Sequence, residues 1–145
     1  MRRIHVLLSV VLLGVCSVYA TQQPQNVDEL KQRIEHASPA DQVRFCLHVA
    51  QAQLQHMNDL YKAGDNEGAR RALQDVETYA IRAANTSAES GKHMKDAEIA
   101  VRKISSRLNE AAREADVDER PPIQAAMKKI DKAHYDLLSR MFAKK

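Results

Sequence analysis

The hydrophobic pattern of this chain is helical over most of its length. From residue 27 onward, apolar residues recur at alternating steps of three and four, and no segment alternates apolar and polar residues as a strand does. This coiled-coil-like spacing places the apolar side chains on one face of each helix, where they pack against partner helices. The chain is therefore predicted to be all-α, with long antiparallel helices in a hairpin or bundle.

Capping residues mark the first two helices. Asn26 is a suitable N-cap for a short N-terminal helix over residues 27–37. Ser38 and the proline after it begin a long helix over residues 39–63, because serine caps helix N-termini and proline is favoured in the first turn. Gly64 ends this helix, and the short break predicts a helical hairpin with the following segment.

The next segment, residues 66–115, leaves an alternative open. Its apolar positions keep one phase throughout, which favours a single long helix that bends near Gly91. Residues 85–92 are rich in poor helix formers, so the alternative is a break there and a bundle of four long helices. After two prolines, a last helix is predicted over residues 121–142.

The first twenty residues are typical of a secretory signal peptide. Two arginines precede an apolar run of ten residues, and small residues lead up to Ala20. The run is too short to cross a bilayer about 30 Å thick. We therefore expect cleavage after Ala20 and export to the periplasm or the extracellular space. Residues 21–145 would form one soluble helical domain with a flexible start at 21–26, and a lipid anchor on Cys16 is the alternative.

Charge and cysteine content limit the partners, disulfides and haem attachment that the exported chain can have. Two of the 22 lysines and arginines lie in the leader and all 19 acidic residues lie beyond it, so the net charge after cleavage is close to zero. Neither strong general attraction to nucleic acid or to anionic lipid nor a later membrane span is expected. Cys46 is then the only cysteine, which excludes an intrachain disulfide and haem attachment through two cysteines.

Candidate ligands for a metal or a haem are few. A carboxylate-bridged di-metal bundle needs two Glu-x-x-His units, whereas this sequence has a single Asp131-x-x-His134. Met57 and His134 lie on apolar seams and are the candidate ligands of a non-covalently bound haem. We expect no cofactor, with a haem- or metal-carrying periplasmic bundle as the alternative.

The sequence has no pattern typical of catalysis. His48 follows Cys46 by two residues and therefore points to a different side of the same helix. The four glycines are scattered, so neither a serine nucleophile elbow nor a phosphate-binding loop is present. The expected function is that of an exported binding or scaffold protein rather than an enzyme.

Two surfaces are candidates for contact with a partner. On the far side of the helix over 39–63, Phe45, Val49 and Ala52 form an apolar line that a single partner helix does not require. Either the short N-terminal helix covers this line, or a protein partner or a second copy docks there. A weak anionic contact is also possible, because the second half of the chain is mildly basic. Its basic residues are Lys92, Lys95, Arg102, Lys103, Arg107, Arg113, Lys128, Lys129, Lys132, Arg140, Lys144 and Lys145.

Overall fold

The computed structural model describes residues 26–143, and this part of the chain contains five α-helices. They are α1 (Val27–Ile34), α2 (Pro39–Lys62), α3 (Asn66–Ser90), α4 (Met94–Glu114) and α5 (Arg120–Ala143). The prediction of an all-α bundle with a short N-terminal helix is confirmed. The predicted signal peptide and flexible start, up to residue 25, lie outside the described residues.

The helices form two antiparallel hairpins, α2 with α3 and α4 with α5. The hairpins pack so that α3 lies beside α5, α2 lies beside α4, and α2 and α5 are diagonal. Two ion pairs show that α3 and α5 run in the same direction. Arg70 pairs with Glu119 at the start of both helices, and Glu77 pairs with Lys129 further along. None of the five helices is long and apolar enough to cross a membrane.

Local capping explains where the first hairpin begins and turns. Ser38 Oγ accepts a hydrogen bond from the Asp41 N–H at 3.2 Å, and Pro39 occupies the first turn of α2. Gly64 adopts a left-handed φ of 78° after the helix, a conformation that glycine adopts without steric cost. Asp65 then caps α3 by accepting from the Gly68 N–H at 2.8 Å. The N-terminal helix is shorter than predicted and ends at Ile34 rather than at residue 37.

The prediction of a continuous helix over 66–115 is wrong, and the alternative break near 85–92 is observed. Gly91 has a left-handed φ of 70°, and its N–H donates to the Ser87 carbonyl at 2.9 Å. The Ser87 hydroxyl donates to the Lys92 carbonyl at 2.6 Å, which closes the turn. The turn of residues 91–93 is so short that Met94 continues the apolar spacing of α3. The spacing alone therefore does not distinguish a turn here from a bend in a continuous helix.

The main core runs along the contact between the two hairpins and is built from small and branched aliphatic side chains. In α5 the buried seam is rotated from the predicted one, which included His134. Ala126 and Ala133 are buried, whereas Met127, His134 and Met141 are only half-buried. Because α5 packs against both α3 and α4, its closest-approach positions are the alanines, which allow two neighbouring backbones to come near.

Candidate interaction surfaces

The structure places the apolar line of α2 partly beneath α1. Val49 is fully buried, whereas Phe45 and Ala52 are half-buried. Leu30 and Ile34 of α1 pack with Val49 in a small core that is separate from the main one. In the monomer the N-terminal helix therefore covers this line, and its use by a partner stays a prediction.

Polar contacts hold α1 against both helices of the first hairpin. Lys31 Nζ lies 2.6 Å from the Asp75 Oδ2 atom, and Arg82 donates to Glu35 at 2.6 Å. This pairing with Arg82 lowers the pKa of Glu35. The Arg33 guanidinium lies 4.6 Å from the centre of the Phe45 ring, on which it stacks. Ion pairs at the surface stabilise little, so most of the docking energy of α1 comes from its buried apolar residues.

The cysteine in this small core is shielded from solvent. Cys46 is fully buried among Leu30, Ile34 and Val49. Burial raises the pKa of its thiol to about 11, so the thiol is protonated at neutral pH. His48 is exposed on a different side of α2 and gives Cys46 no base. The surroundings of Cys46 therefore suit a structural residue.

The two candidate haem ligands are far apart. Met57 is fully buried, and its helical neighbour Tyr61 lines a cavity with Ala111 near the end of α4. His134 Nε2 instead lies 3.1 Å from the Glu98 Oε1 atom, near the beginning of α4. At about 1.5 Å per residue, Glu98 and Ala111 are roughly 20 Å apart along the helix. Met57 and His134 therefore do not form a ligand pair in this fold. Over residues 26–143, no group of three or more histidine, cysteine or carboxylate side chains could hold a metal ion.

A buried carboxylate fastens the turn between α4 and α5. Glu119 is 3 % exposed and accepts two hydrogen bonds from Arg70, at 2.7 and 3.0 Å. Tyr61 Oη lies 3.4 Å from the same carboxylate. Hydrogen bonding to Arg70 lowers the pKa of Glu119, while burial and the nearby carboxylate raise the pKa of Tyr61 to about 12. The cavity beside them measures about 290 Å³. Both carboxylate oxygens are bonded, so this cluster ties helix ends together rather than presenting a reactive group.

Exposed apolar side chains gather on the outer side of the second hairpin. Tyr135 and Phe142 are each 72 % exposed, and Leu138 between them is half-buried. Steps of three and four place these three residues on one side of α5. On α4, Ile99 is 43 % exposed. We call these four residues the α4/α5 outer face.

Cross-helix contacts set the position of Ile99 relative to α5. Asp131, one turn before Tyr135, bonds to Ser105 of α4, and His134, one turn before Leu138, bonds to Glu98. The side of α5 that carries the apolar line therefore adjoins α4. Because Ile99 directly follows Glu98, it lies level with Tyr135 on the outer surface of the hairpin. Three of the four exposed large apolar side chains between residues 26 and 143 thus belong to one face.

Basic side chains border the α4/α5 outer face. Lys95 and Lys103 lie one turn before and one turn after Ile99, and Lys128 lies two turns before Tyr135, all of them exposed. In the described part of the chain these three lysines make no ion pair. The neighbouring acids have partners within the hairpin: Glu98 with Arg102 and His134, Asp131 with Ser105, and Asp136 with Lys132. Asp96, one turn before Ile99, lies 3.4 Å from His93, and Asp131 is bonded only to a neutral hydroxyl. Three lysines against these two carboxylates leave the charge beside the apolar residues net positive.

The α4/α5 outer face was not singled out from the sequence, although a signal for it exists. Tyr135, Leu138 and Phe142 form a second apolar line on α5, comparable to the line of α2 that the sequence did indicate. No family model matches the chain, and comparisons with curated proteins and with solved structures found no match. The functional argument therefore depends on the surface itself.

Proposed function

We propose that this chain is an exported helical binding protein without catalytic activity, and that it contacts its partner through the α4/α5 outer face. The observation that supports the proposal is the clustering of Ile99, Tyr135 and Phe142 on one side of one hairpin. Large exposed apolar patches on small proteins are typical of contact surfaces, because leaving them in water is unfavourable.

The apolar line of α2 is the weaker candidate for this role. Val49 is inaccessible while α1 is docked, and Phe45 is stacked under Arg33. A partner would have to displace Leu30 and Ile34, which are both buried, before it could reach the line. The α4/α5 outer face needs no such rearrangement, so it is the surface available to a partner in the folded monomer.

Thiol labelling tests the proposal, because the native cysteine is buried. Ser139 is exposed between Tyr135 and Phe142, so Ser139→Cys adds a small thiol to the face and keeps its apolar residues. Thr78→Cys on α3 is the matched control, since Thr78 is also exposed but lies away from the face. Each variant is treated with a hydrophilic maleimide, once purified and once in the native envelope fraction.

We expect the envelope fraction to slow labelling of Ser139→Cys by about ten-fold, as a buried contact would, and to leave labelling of Thr78→Cys unchanged. Equal labelling of the two variants in both preparations would contradict the proposed contact surface. Equal protection of both would mean that the whole molecule is enclosed, which would also remove the argument for this face.

A further inference from the structure

We propose that the partner of the α4/α5 outer face is an anionic phospholipid surface, to which the protein binds peripherally. This inference rests on the proposed function and names its partner class. Two features of the face carry it: its apolar side chains project outward, and three lysines beside them, Lys95, Lys103 and Lys128, make no ion pair in the described residues.

The apolar side chains of the face stand on a ridge rather than in a groove. Tyr135 and Phe142 are two helical turns apart on α5 and are largely exposed, so their rings extend from the helix into solvent. A fluid lipid interface accommodates such projecting rings without preformed pockets. Tyrosine is favoured there because its ring is apolar and its hydroxyl stays at the headgroup level.

The charge around the face complements an anionic headgroup layer. Its rim has five basic and four acidic side chains, and three of the basic ones make no ion pair in the described residues. The basic side chains are Lys95, Arg102, Lys103, Lys128 and Lys132, and the acidic ones are Asp96, Glu98, Asp131 and Asp136. Each lysine or arginine near an anionic surface strengthens binding by a factor of about five. Binding through one apolar patch is weak by itself, and a basic rim supplies the second attraction that stable peripheral binding requires.

The same charges disfavour a second copy of the chain as the occupant. In a two-fold symmetric contact, each side chain faces its own equivalent or a neighbour from the same patch. A dimer through this face would therefore have to offset Lys95, Lys103 and Lys128 of each copy with carboxylates of the same patch. Among the described residues, Asp131 is the one rim carboxylate that makes no ion pair, so the lysines outnumber the counter-charges available to them.

Vesicle co-flotation of the exported chain, residues 21–145, tests the lipid proposal. The probes are vesicles of equal parts phosphatidylglycerol and phosphatidylcholine, and vesicles of phosphatidylcholine alone. Two double variants remove the two attractions separately: Tyr135→Ser with Phe142→Ser, and Lys128→Gln with Lys132→Gln. The matched control is Val117→Ser, which removes an apolar side chain that is 74 % exposed in the α4–α5 turn. Because all these side chains are exposed, the variants should keep the wild-type melting temperature.

We expect binding to the anionic vesicles, with at least about ten-fold weaker binding for each double variant and no change for Val117→Ser. High salt should weaken binding by the wild type, because it screens the basic rim. Equal binding to both vesicle types, or none to either, would overturn the lipid proposal. Protection of Ser139→Cys in the envelope fraction would then still support the proposed contact surface, with a protein as the partner. A dimer by light scattering that Tyr135→Ser with Phe142→Ser dissociates would instead identify a second copy as the occupant and also overturn the lipid proposal.

Discussion

Replacing Gly91 with alanine tests the turn that separates α3 from α4. Gly91 has a φ of 70°, and an alanine there is destabilised by about 1–2 kcal/mol relative to a right-handed conformation. Alanine also lowers the conformational entropy of the unfolded chain, which stabilises the folded state by about 0.4–1 kcal/mol. The free energy of unfolding should therefore fall by about 1 kcal/mol.

Thermal unfolding followed by far-UV circular dichroism measures this change. For a domain of this size, about 1 kcal/mol corresponds to a fall in Tm of roughly 3–5 °C. Gly91→Asn should fall between wild type and Gly91→Ala, because asparagine tolerates the left-handed conformation better. Gly64→Ala is the matched control, since Gly64 has a φ of 78° and no atom within 4 Å of an added Cβ. A higher Tm for Gly91→Ala would refute the reasoning, because alanine stabilises position 91 only inside a continuous helix.

Two further predictions concern the packing of α1 and the buried carboxylate. Ile34→Ala should lower the free energy of unfolding by about 2–4 kcal/mol in chemical denaturation, since Ile34 is fully buried, whereas Val117→Ala should change it by less than about 0.5 kcal/mol. Arg70 lowers the pKa of Glu119 in the folded state, so this stabilisation is complete above about pH 4.5, the ordinary glutamate pKa, and is lost as pH falls through the lowered value. The Glu119→Gln variant should therefore be less stable than wild type at neutral pH and lose less stability as the pH falls. A free energy of unfolding that falls as steeply in acid for the variant as for wild type would contradict this.

The sequence predicts most clearly those parts of the fold that depend on local chemistry. Ser38 caps the helix it was expected to cap, because an N-cap needs only a side-chain acceptor a few residues from its donor. The break at Gly91 was not the preferred prediction, because a tight turn preserves the apolar spacing. Its local signals were the glycine and Ser87, whose hydroxyl closes the turn.

The arrangement of the hairpins was beyond sequence reasoning, because it depends on non-local packing. Nothing in the spacing of α5 shows that the helix is buried on two sides, so the seam was predicted through His134 rather than Ala133. The same rotation leaves Tyr135 and Phe142 on the outside. The covered line of α2 could be recognised as a second apolar line, but only the structure shows that Val49 lies beneath α1.

The most direct test of the central claim asks whether the α4/α5 outer face is protected in the native envelope fraction, and whether its apolar residues cause that protection. The measurement is the labelling rate of Ser139→Cys in the envelope fraction divided by its rate in the purified protein, with and without Phe142→Ser. We predict a ratio of about one tenth for Ser139→Cys alone, and a ratio close to one when Phe142→Ser is added. A ratio close to one without Phe142→Ser, or a low ratio that Phe142→Ser leaves unchanged, would contradict the claim that this face is the contact surface.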